Sequence, residues 1–506
     1  METLKEIMRV VTLKADIKRV FPELLDAESA QSVTTTYVKG IIDNQYRDDD
    51  EAASQLYGGN RTDQRYRTLK SRVYDRLLVA LLNLQVKQPE HSLYLSMYYK
   101  CSRNSVAAQT LMRFASRKAG ATLAERTLQI ADKFHFTDLQ ISLLYSLRTT
   151  VVFQRNVRQY MHYNARLQHL LRVQEAELSS EYYIDIALLD VPDRSRTTHK
   201  TMSISETINH LKTLRDEYKT NTLYLNYFRI RMLHAENTLS FSNIIDIADE
   251  ALEYFETYTH FKQPARLGEF TLLKAIASSC LRRFESAIEA CNLCIASFAQ
   301  GGSNWYLSLD IAFVAAMNAG QYERAASYYV QATENKRYTL QPDITLERWK
   351  TYEAYIHLVH ELRLHDYSEV IRRSNFRVTS YINSVPEFSK DKKYSNFLII
   401  VSHICLLISR RELDNADRRI EYLRTYTHRY LKEAQFARAK LFSKALTVLS
   451  KDFDISAETR NDIDVIKTEL SKHLDEPMTN EVNEVISYEV LLDAILAFLS
   501  TVRISS

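Results

Sequence analysis

Three side chains with metal-ligand chemistry stand close together in one predicted helix. His357, His360 and Glu361 occupy positions i, i+3 and i+4, and this spacing puts them on one helix face. Zinc proteases carry the order His-Glu-x-x-His, which would need a histidine at position 364, where the chain has Leu364. Because the order does not match, we expect exposed or helix-packing histidines and no bound metal.

A Cys-x-x-Cys pair, Cys291 and Cys294, could in principle form a redox couple or half of a zinc site. Both cysteines fall on small-residue positions of a predicted helix, and no second pair accompanies them. We therefore predict that they are small core residues. The chain has five cysteines, an odd and scattered set that argues against a disulfide framework and for a reducing compartment.

Motifs for phosphate binding and for acyl hydrolysis are missing from the sequence. The glycine pairs Gly58-Gly59 and Gly301-Gly302 lack the further glycines and the Lys-Ser/Thr of a P-loop. No Gly-x-Ser-x-Gly occurs either. We predict that the protein is not an enzyme and that it uses no cofactor.

Glycine and proline are scarce, with 8 and 7 residues in a chain of 506. The prolines fall between amphipathic segments, where proline starts or stops helices. Lys plus Arg number 66 and Asp plus Glu 63, so overall charge does not direct the protein to nucleic acid or to a membrane. No apolar run approaches the roughly 20 residues of a spanning helix, and Met1–Glu6 does not resemble a secretory signal. The composition predicts an all-α, cytoplasmic protein.

The clearest local pattern is a pair of helices over residues 306–332, with Gly320 between them. Apolar and small residues recur at intervals of three and four in each helix, which places them on one stripe. The stripe of the first helix is predicted to contain Leu307, Ile311, Val314 and Ala315. The stripe of the second helix is predicted to contain Tyr322, Ala325, Tyr329 and Ala332.

Copies of this hairpin occur on both sides of it. Large apolar residues open comparable second helices at Phe241, Phe284, Tyr322, Tyr367 and Leu413, at spacings of 43, 38, 45 and 46 residues. A single helical hairpin cannot bury its own apolar face, so the copies must stack on one another. The pattern resembles the tetratricopeptide (TPR) repeat, although the spacings exceed the roughly 34 residues of that repeat and its Trp-x-x-Leu-Gly signature is missing.

The resemblance implies a degenerate, TPR-like α-solenoid of stacked helical hairpins behind a small N-terminal helical module. We predict five segments: 1–90, the N-terminal helical module; 91–190, helical hairpins that start the solenoid; 191–202, a polar loop; 203–475, the TPR-like array; and 476–506, a C-terminal capping helix.

TPR-like arrays hold a partner against the side chains of their first helices. The resemblance therefore implies a non-enzymatic scaffold that binds a protein or peptide partner in a concave groove. The residues predicted to face that groove are Arg266, Glu269, Lys274, Asn304, Tyr306 and Asp310.

A basic helix near the N-terminus suggests an alternative. It follows the Gly58-Gly59 turn, and its six cations minus Asp63 and Asp75 give a local charge of +4. Helix, turn and basic helix outline a helix-turn-helix, and the layout is similar to that of bacterial TPR-type peptide-sensing regulators. The alternative is a nucleic-acid-linked regulator controlled by ligand binding to the array, and a solvated basic face is the other interpretation. The candidate contacts are Arg61, Arg65, Arg67, Lys70, Arg72 and Arg76.

Overall fold

The structure is a computed structural model that describes residues 1–14, 17–24, 32–82, 93–189, 203–383, 393–474, 478 and 484–500. Within these residues all regular structure is helical, so the predicted all-α class is confirmed. The predicted polar loop 191–202 lies outside the described residues. The chain forms two compact units, one made of Met1–Ala131 and Tyr145–Val157 and the other of Asp132–Leu144 and Arg158–Ser506.

The helices in the first half of the chain are α1 Glu2–Lys14, α2 Ile17–Val20, α3 Val33–Ile42, α4 Asp49–Tyr57, α5 Gln64–Leu82, α6 Leu93–Arg113, α7 Arg117–Phe134, α8 Thr137–Phe153, α9 Val157–Leu189, α10 Ile204–Tyr218 and α11 Asn221–Asn237. The later helices are α12 Phe241–Thr257, α13 Pro264–Cys280, α14 Phe284–Ser297, α15 Ser303–Asn318, α16 Tyr322–Thr333, α17 Asp343–Glu361, α18 Ser368–Arg373, α19 Val378–Ile382, α20 Lys393–Ser409, α21 Leu413–Tyr430, α22 Ala437–Lys451, α23 Ala457–Lys472 and α24 Tyr488–Ser500. Short 3-10 turns lie at Pro22–Leu24, Thr259–Phe261, Tyr338–Leu340 and Ala434–Phe436.

The N-terminal helices α1, α3, α4 and α5 of the first unit share a small core. Helix α5 buries Tyr66, Leu69, Val73 and Leu77, which recur along one of its faces. Acidic residues open α4, where the Asp48 side chain accepts hydrogen bonds from the backbone amides of Asp50 and Glu51.

In the second unit, each helix from α10 to α16 packs on the next helix in the chain. The same holds for each helix from α20 to α22, and α17 packs on α20. The predicted second-helix anchors are confirmed as helix starts at Phe241, Phe284, Tyr322 and Leu413. The small residues three positions after the last three of these anchors, Ala287, Ala325 and Ala416, are fully buried. Small side chains at these positions let the helices approach closely.

Several of these connections use one backbone turn. Two residues before the next helix begins, φ is positive: 52° at Leu239, 57° at Arg282, 70° at Gly320 and 63° at Arg411. The next amide then closes the preceding helix, as where Gln321 N donates to Ala316 O at 2.8 Å. Glycine adopts this conformation at little cost, whereas the other three residues carry a Cβ that disfavours it.

Helix α15 is buried around most of its circumference, so its predicted stripe is confirmed at Val314 and Ala315 and is wrong at Leu307. Trp305, Leu309 and Phe313 are core residues, whereas Leu307 is 36% exposed. Three- and four-residue spacing defines a stripe only when one face is apolar, and α15 is apolar on nearly all sides.

The C-terminal segment contacts helices far apart in the sequence. Met478 N donates to Cys280 O at the end of α13, and Asn318 Nδ2 at the end of α15 donates to Glu484 O. Helix α24 packs on α20, and the Tyr488 ring stacks on Phe442 of α22 at 4.4 Å between centroids. The predicted apolar helix near the C-terminus is therefore present, and the residues before it also lie against the ends of α13 and α15. No helix among the described residues is long and apolar enough to cross a bilayer.

Candidate functional site

Two of the three predicted groove residues of α13 take part in ion pairs with other helices. Glu269 accepts two hydrogen bonds from the Arg229 guanidinium of α11, at 2.9 and 2.6 Å. Lys274 pairs with Asp249 of α12. Arg266 is half-buried and lies beside the Gln263 side-chain amide. The side chains of Glu269 and Lys274 therefore help to fix the register between helices, and both keep part of their surface in water.

Two predicted groove residues are core residues, which corrects that part of the prediction. Tyr306 is only 3% exposed, and its hydroxyl donates to Ala332 O within the hairpin. Asp310 is 8% exposed. Its carboxylate accepts hydrogen bonds from Arg348 and from the Tyr352 hydroxyl, both on α17. Because the negative charge of Asp310 stabilises the guanidinium, it raises the pKa of Arg348.

The exposed predicted residue on α15 is Asn304, and it has an apolar neighbour on the same helix. Leu307 lies one turn N-terminal to Asp310, and Ile344 lies one turn N-terminal to Arg348. Since Asp310 and Arg348 are in contact, Leu307 and Ile344 lie on neighbouring parts of α15 and α17. They are 36% and 51% exposed, near an ion pair in which the Asp310 side chain is 12% and the Arg348 side chain 47% exposed.

Most of the predicted basic contacts on and before α5 are engaged within the first unit. Arg65 forms a two-point contact with Asp63, at 3.2 and 2.8 Å. Lys70 pairs with Asp49 at 2.8 Å. Arg76 donates to Val20 O and lies over the Phe21 ring. Arg61 lies 3.8 Å from the Asp50 carboxylate.

Arg67 and Arg72 are the exposed cations of this set for which the structure gives no side-chain partner among the described residues. Arg72 also lines a cleft of about 410 Å³ with Arg65. The α4–α5 connection runs over residues 58–63, longer than the roughly three to four residues of a helix-turn-helix.

The predicted metal-ligand and thiol residues have separate roles. His357 is buried, and burial lowers its pKa to about 4. Glu361 binds Ser409 and Arg410 of the segment at the end of α20. Among the described residues, no group of three or more His, Cys, Asp or Glu side chains is arranged to hold a metal ion. Cys291 and Cys294 are fully buried, as predicted, and burial raises the pKa of the Cys294 thiol to about 11.

A basic cleft of about 530 Å³ opens between α21 and α22 and was not predicted. Its cationic or imidazole side chains are Arg424, His428, Lys432, Lys440 and Lys444. Its other lining residues are Thr427, Leu431, Ser443 and Thr447, so no carboxylate lines it. The signal was present in the sequence as cations four residues apart on two successive helices, a spacing that puts side chains on one face.

Two contacts limit which groups of this basic cleft are available. Lys440 Nζ donates to the carbonyls of Lys432 and Glu433, at 2.9 and 3.0 Å. Arg424 pairs with Glu421 at 2.6 Å on the exposed surface. Thr427 Oγ1 is buried and has no hydrogen-bond partner among the described residues.

A buried polar cluster lies elsewhere in the second unit, where α8 and α11 begin beside α9. Glu177 is 9% exposed, and one of its carboxylate oxygens lacks a hydrogen-bond partner in the described part of the chain. Burial raises the pKa of Glu177, and interactions with the Thr220 and Thr137 hydroxyls partly oppose that rise. Asn221, at the first turn of α11, is 1% exposed. The cluster places a poorly solvated carboxyl group in the helix packing.

Comparison of the chain with protein-family models, with curated proteins and with solved structures found no match in any of the three.

Proposed function

We propose that the protein is a non-enzymatic, TPR-like scaffold that binds a protein or peptide partner on its first-helix face. We define this first-helix face by Arg266 on α13, Asn304 and Leu307 on α15, and Ile344 on α17. The proposal also places the stacked hairpins in a solenoid and the protein in the cytoplasm.

The shared turns and the succession of packed helix pairs support the solenoid. Helices α12, α14 and α16 each begin at an aromatic residue after a left-handed turn. Their partners α11, α13 and α15 are tied side by side, as by the Arg229–Glu269 pair between α11 and α13. First helices that lie next to one another in this way present one continuous face.

The observation that carries the binding proposal is the exposure of Leu307 and Ile344, which lie on two helices joined by the Asp310–Arg348 ion pair. Large apolar side chains exposed to water gain the transfer free energy of their surface when a partner covers them. Asn304 is exposed one turn before Leu307 on α15, and Arg266 is half-buried near the start of α13. An apolar centre with a polar surround is the usual make-up of a protein interface.

The experiment has two stages. Affinity purification from the native host followed by mass spectrometry identifies a stoichiometric partner. The purified partner is then titrated calorimetrically against the wild type and against Leu307→Glu/Ile344→Glu. We expect the double variant to bind at least about 30-fold more weakly, since removal of an interface anchor costs about 2 kcal/mol or more.

A matched control carries the same change on second helices. Leu293 on α14 and Val465 on α23 are exposed aliphatic residues outside the first-helix face, at 63% and 56%. Leu293→Glu/Val465→Glu should bind the partner as the wild type does. Equal affinity of the two double variants, or the lack of any stoichiometric partner, would count against the proposal.

The alternative function, a nucleic-acid-linked regulator, depends on the cations of α5. Its support now rests on Arg67 and Arg72, because the structure engages the other four predicted contacts in internal interactions. Such contacts to neighbouring side chains lower the number of phosphates that the helix could neutralise.

A further inference from the structure

We propose that the basic cleft between α21 and α22 binds a small molecule that carries two or more phosphate groups. This site is independent of the first-helix face. Its volume of about 530 Å³ falls in the range of roughly 300–1,000 Å³ found for small-molecule pockets.

The cations of the basic cleft form two levels. Helices α21 and α22 are packed together and joined by residues 431–436, so they run antiparallel. His428, Lys432 and Lys440 therefore lie at the level of the connection. Arg424 and Lys444 lie about one turn further from it. Side chains one turn apart are about 5–6 Å apart at Cβ, so each level can meet a different phosphate of one ligand.

The free protein carries an electrostatic cost at this site. Lys440 and Lys444 are like charges at positions i and i+4, an arrangement that destabilises a helix. Lys444 acts only weakly on Glu469 of α23. The pKa of Glu469 is lowered mainly by the hydrogen bond from Lys472, and Lys444 makes a smaller contribution. No carboxylate lies in the lining. A polyanion in the basic cleft would relieve the repulsion and gain charge-assisted hydrogen bonds.

Thr427 provides an independent observation. Threonine hydroxyls within helices commonly donate to the carbonyl four residues back, as Thr425 does to Glu421 O at 3.1 Å. Thr427 Oγ1 makes no such bond, although the residue is 7% exposed and lines the basic cleft. Thr427 thus adds an unpartnered hydroxyl to the wall of a cleft that four permanent cations line, and a hydroxyl can donate to a phosphate oxygen.

The test uses the full chain and sodium tripolyphosphate as the probe, with calorimetric titration and thermal unfolding as measurements. We expect saturable binding that raises Tm and weakens as ionic strength increases to about 0.15 M. Arg424→Gln/Lys444→Gln should bind about 100-fold more weakly, since each charged hydrogen bond contributes about tenfold. Lys212→Gln/Arg373→Gln, which removes two exposed cations from α10 and α18, should bind as the wild type does.

Thr427→Val separates a ligand role from a structural role. We expect a several-fold loss of affinity with no fall in the Tm of the unliganded protein, because the hydroxyl has no partner to lose. Unchanged affinity in Thr427→Val would remove this hydroxyl from the site. The proposal of a soluble ligand would be overturned by any of three results: tripolyphosphate does not bind, Arg424→Gln/Lys444→Gln binds it as well as the wild type does, or sulfate binds with equal affinity.

The same phosphate chemistry could come from a soluble metabolite or from a lipid headgroup, and a second arm distinguishes them. Phosphatidylcholine vesicles with and without phosphatidylinositol bisphosphate are sedimented with the protein. Co-sedimentation that needs the bisphosphate and is lost in Arg424→Gln/Lys444→Gln identifies the lipid source. Tripolyphosphate binding without co-sedimentation identifies a soluble ligand, and absence of both overturns the site.

Discussion

Arg438 and Glu484 form a buried ion pair with two hydrogen bonds, Nε to Oε1 at 2.6 Å and Nη2 to Oε2 at 2.9 Å. The Arg438 side chain is 7% exposed and that of Glu484 2%. Glu489 accepts two further hydrogen bonds from the same guanidinium, at 2.9 and 2.7 Å. Leu470 O accepts another at 2.7 Å, so α22, α23 and the C-terminal segment meet at one cation.

Removing this cation should destabilise the fold strongly. In Arg438→Met, Glu484 stays buried with only the longer contact to Arg282, at 3.5 Å, and we expect a loss of about 3 kcal/mol in the free energy of unfolding. Urea unfolding at pH 7 measures it. Arg324→Met is the control, because its pair with Glu285 is more than half exposed and should contribute at most about 1 kcal/mol. Similar losses in both variants would contradict the role assigned to Arg438.

Acid should weaken the protein through His403. Burial, with a smaller effect of Arg419, lowers the pKa of His403 to about 3, so the folded protein holds it neutral. In the unfolded chain the same imidazole takes up a proton near pH 6.5. The contribution of neutral His403 to the free energy of unfolding is therefore complete above that pH and is lost as pH falls toward 3. By pH 5 the loss is about 2 kcal/mol.

The measurement is urea unfolding at intervals between pH 7 and 4. His403→Leu should reduce the slope of the free energy of unfolding against pH by the uptake of one proton. His357, whose pKa is lowered to about 4, contributes to this slope in the same direction in the wild type and in the variant. His428→Leu removes an exposed imidazole and should leave the slope unchanged. A His403→Leu slope equal to that of the wild type would refute the assignment.

Glu177 should change the stability of the protein with pH in the direction opposite to His403. Burial raises its pKa, so the folded protein favours the neutral acid. The contribution of neutral Glu177 to the free energy of unfolding is complete below the pKa of a glutamate in the unfolded chain, about 4.3, and is lost as pH rises above that value. Glu177→Gln removes the ionisation, and we expect a higher Tm than the wild type at pH 8 with little difference at pH 4.

The comparison that isolates burial is Glu175→Gln, an exposed glutamate two residues earlier on the same helix. Its Tm should follow that of the wild type at both pH values. If Glu177→Gln and Glu175→Gln show the same Tm difference between pH 8 and pH 4, the buried carboxyl group is not its source.

Duplex DNA should bind weakly, if at all. With Arg67 and Arg72 as the exposed cations of α5 that lack a side-chain partner, the slope of log affinity against log salt should not exceed about 2 in magnitude. Gel retardation at several salt concentrations measures this slope. Binding at about 0.15 M salt that Arg67→Glu/Arg72→Glu removes, and that Arg9→Glu/Lys39→Glu retains, would instead establish the regulator hypothesis.

The sequence predicts helices best where local signals agree. Phe241, Phe284 and Tyr322 begin helices in the structure because each is followed by small residues at helical spacing. The turn before them was recognisable only at Gly320, since Leu239 and Arg282 adopt the same conformation without glycine. Non-glycine residues in this conformation are held there by the packing of the helices they join.

The candidate site was predicted less well, because the side chains that a helix exposes to solvent depend on its rotation about its own axis. Tyr306 and Asp310 lie inside, whereas Leu307 between them faces out. A helix that is apolar on most sides gives no signal for its rotation. An aspartate at position 310 would suggest a side chain exposed to solvent. In the structure, Tyr352 and Arg348 donate its hydrogen bonds from α17, a helix that the sequence does not place next to it.

The meeting of Arg438 with Glu484 and Glu489 also bears on synthesis at the ribosome. Each helical hairpin can form as soon as it emerges, since its contacts are between neighbours in the chain. Arg438 differs, because the carboxylates that neutralise it are made 46 and 51 residues later. A nascent chain halted in that interval would carry an uncompensated cation and the uncovered ring of Phe442, and quality-control proteases would have a specific feature by which to distinguish unfinished molecules from finished ones.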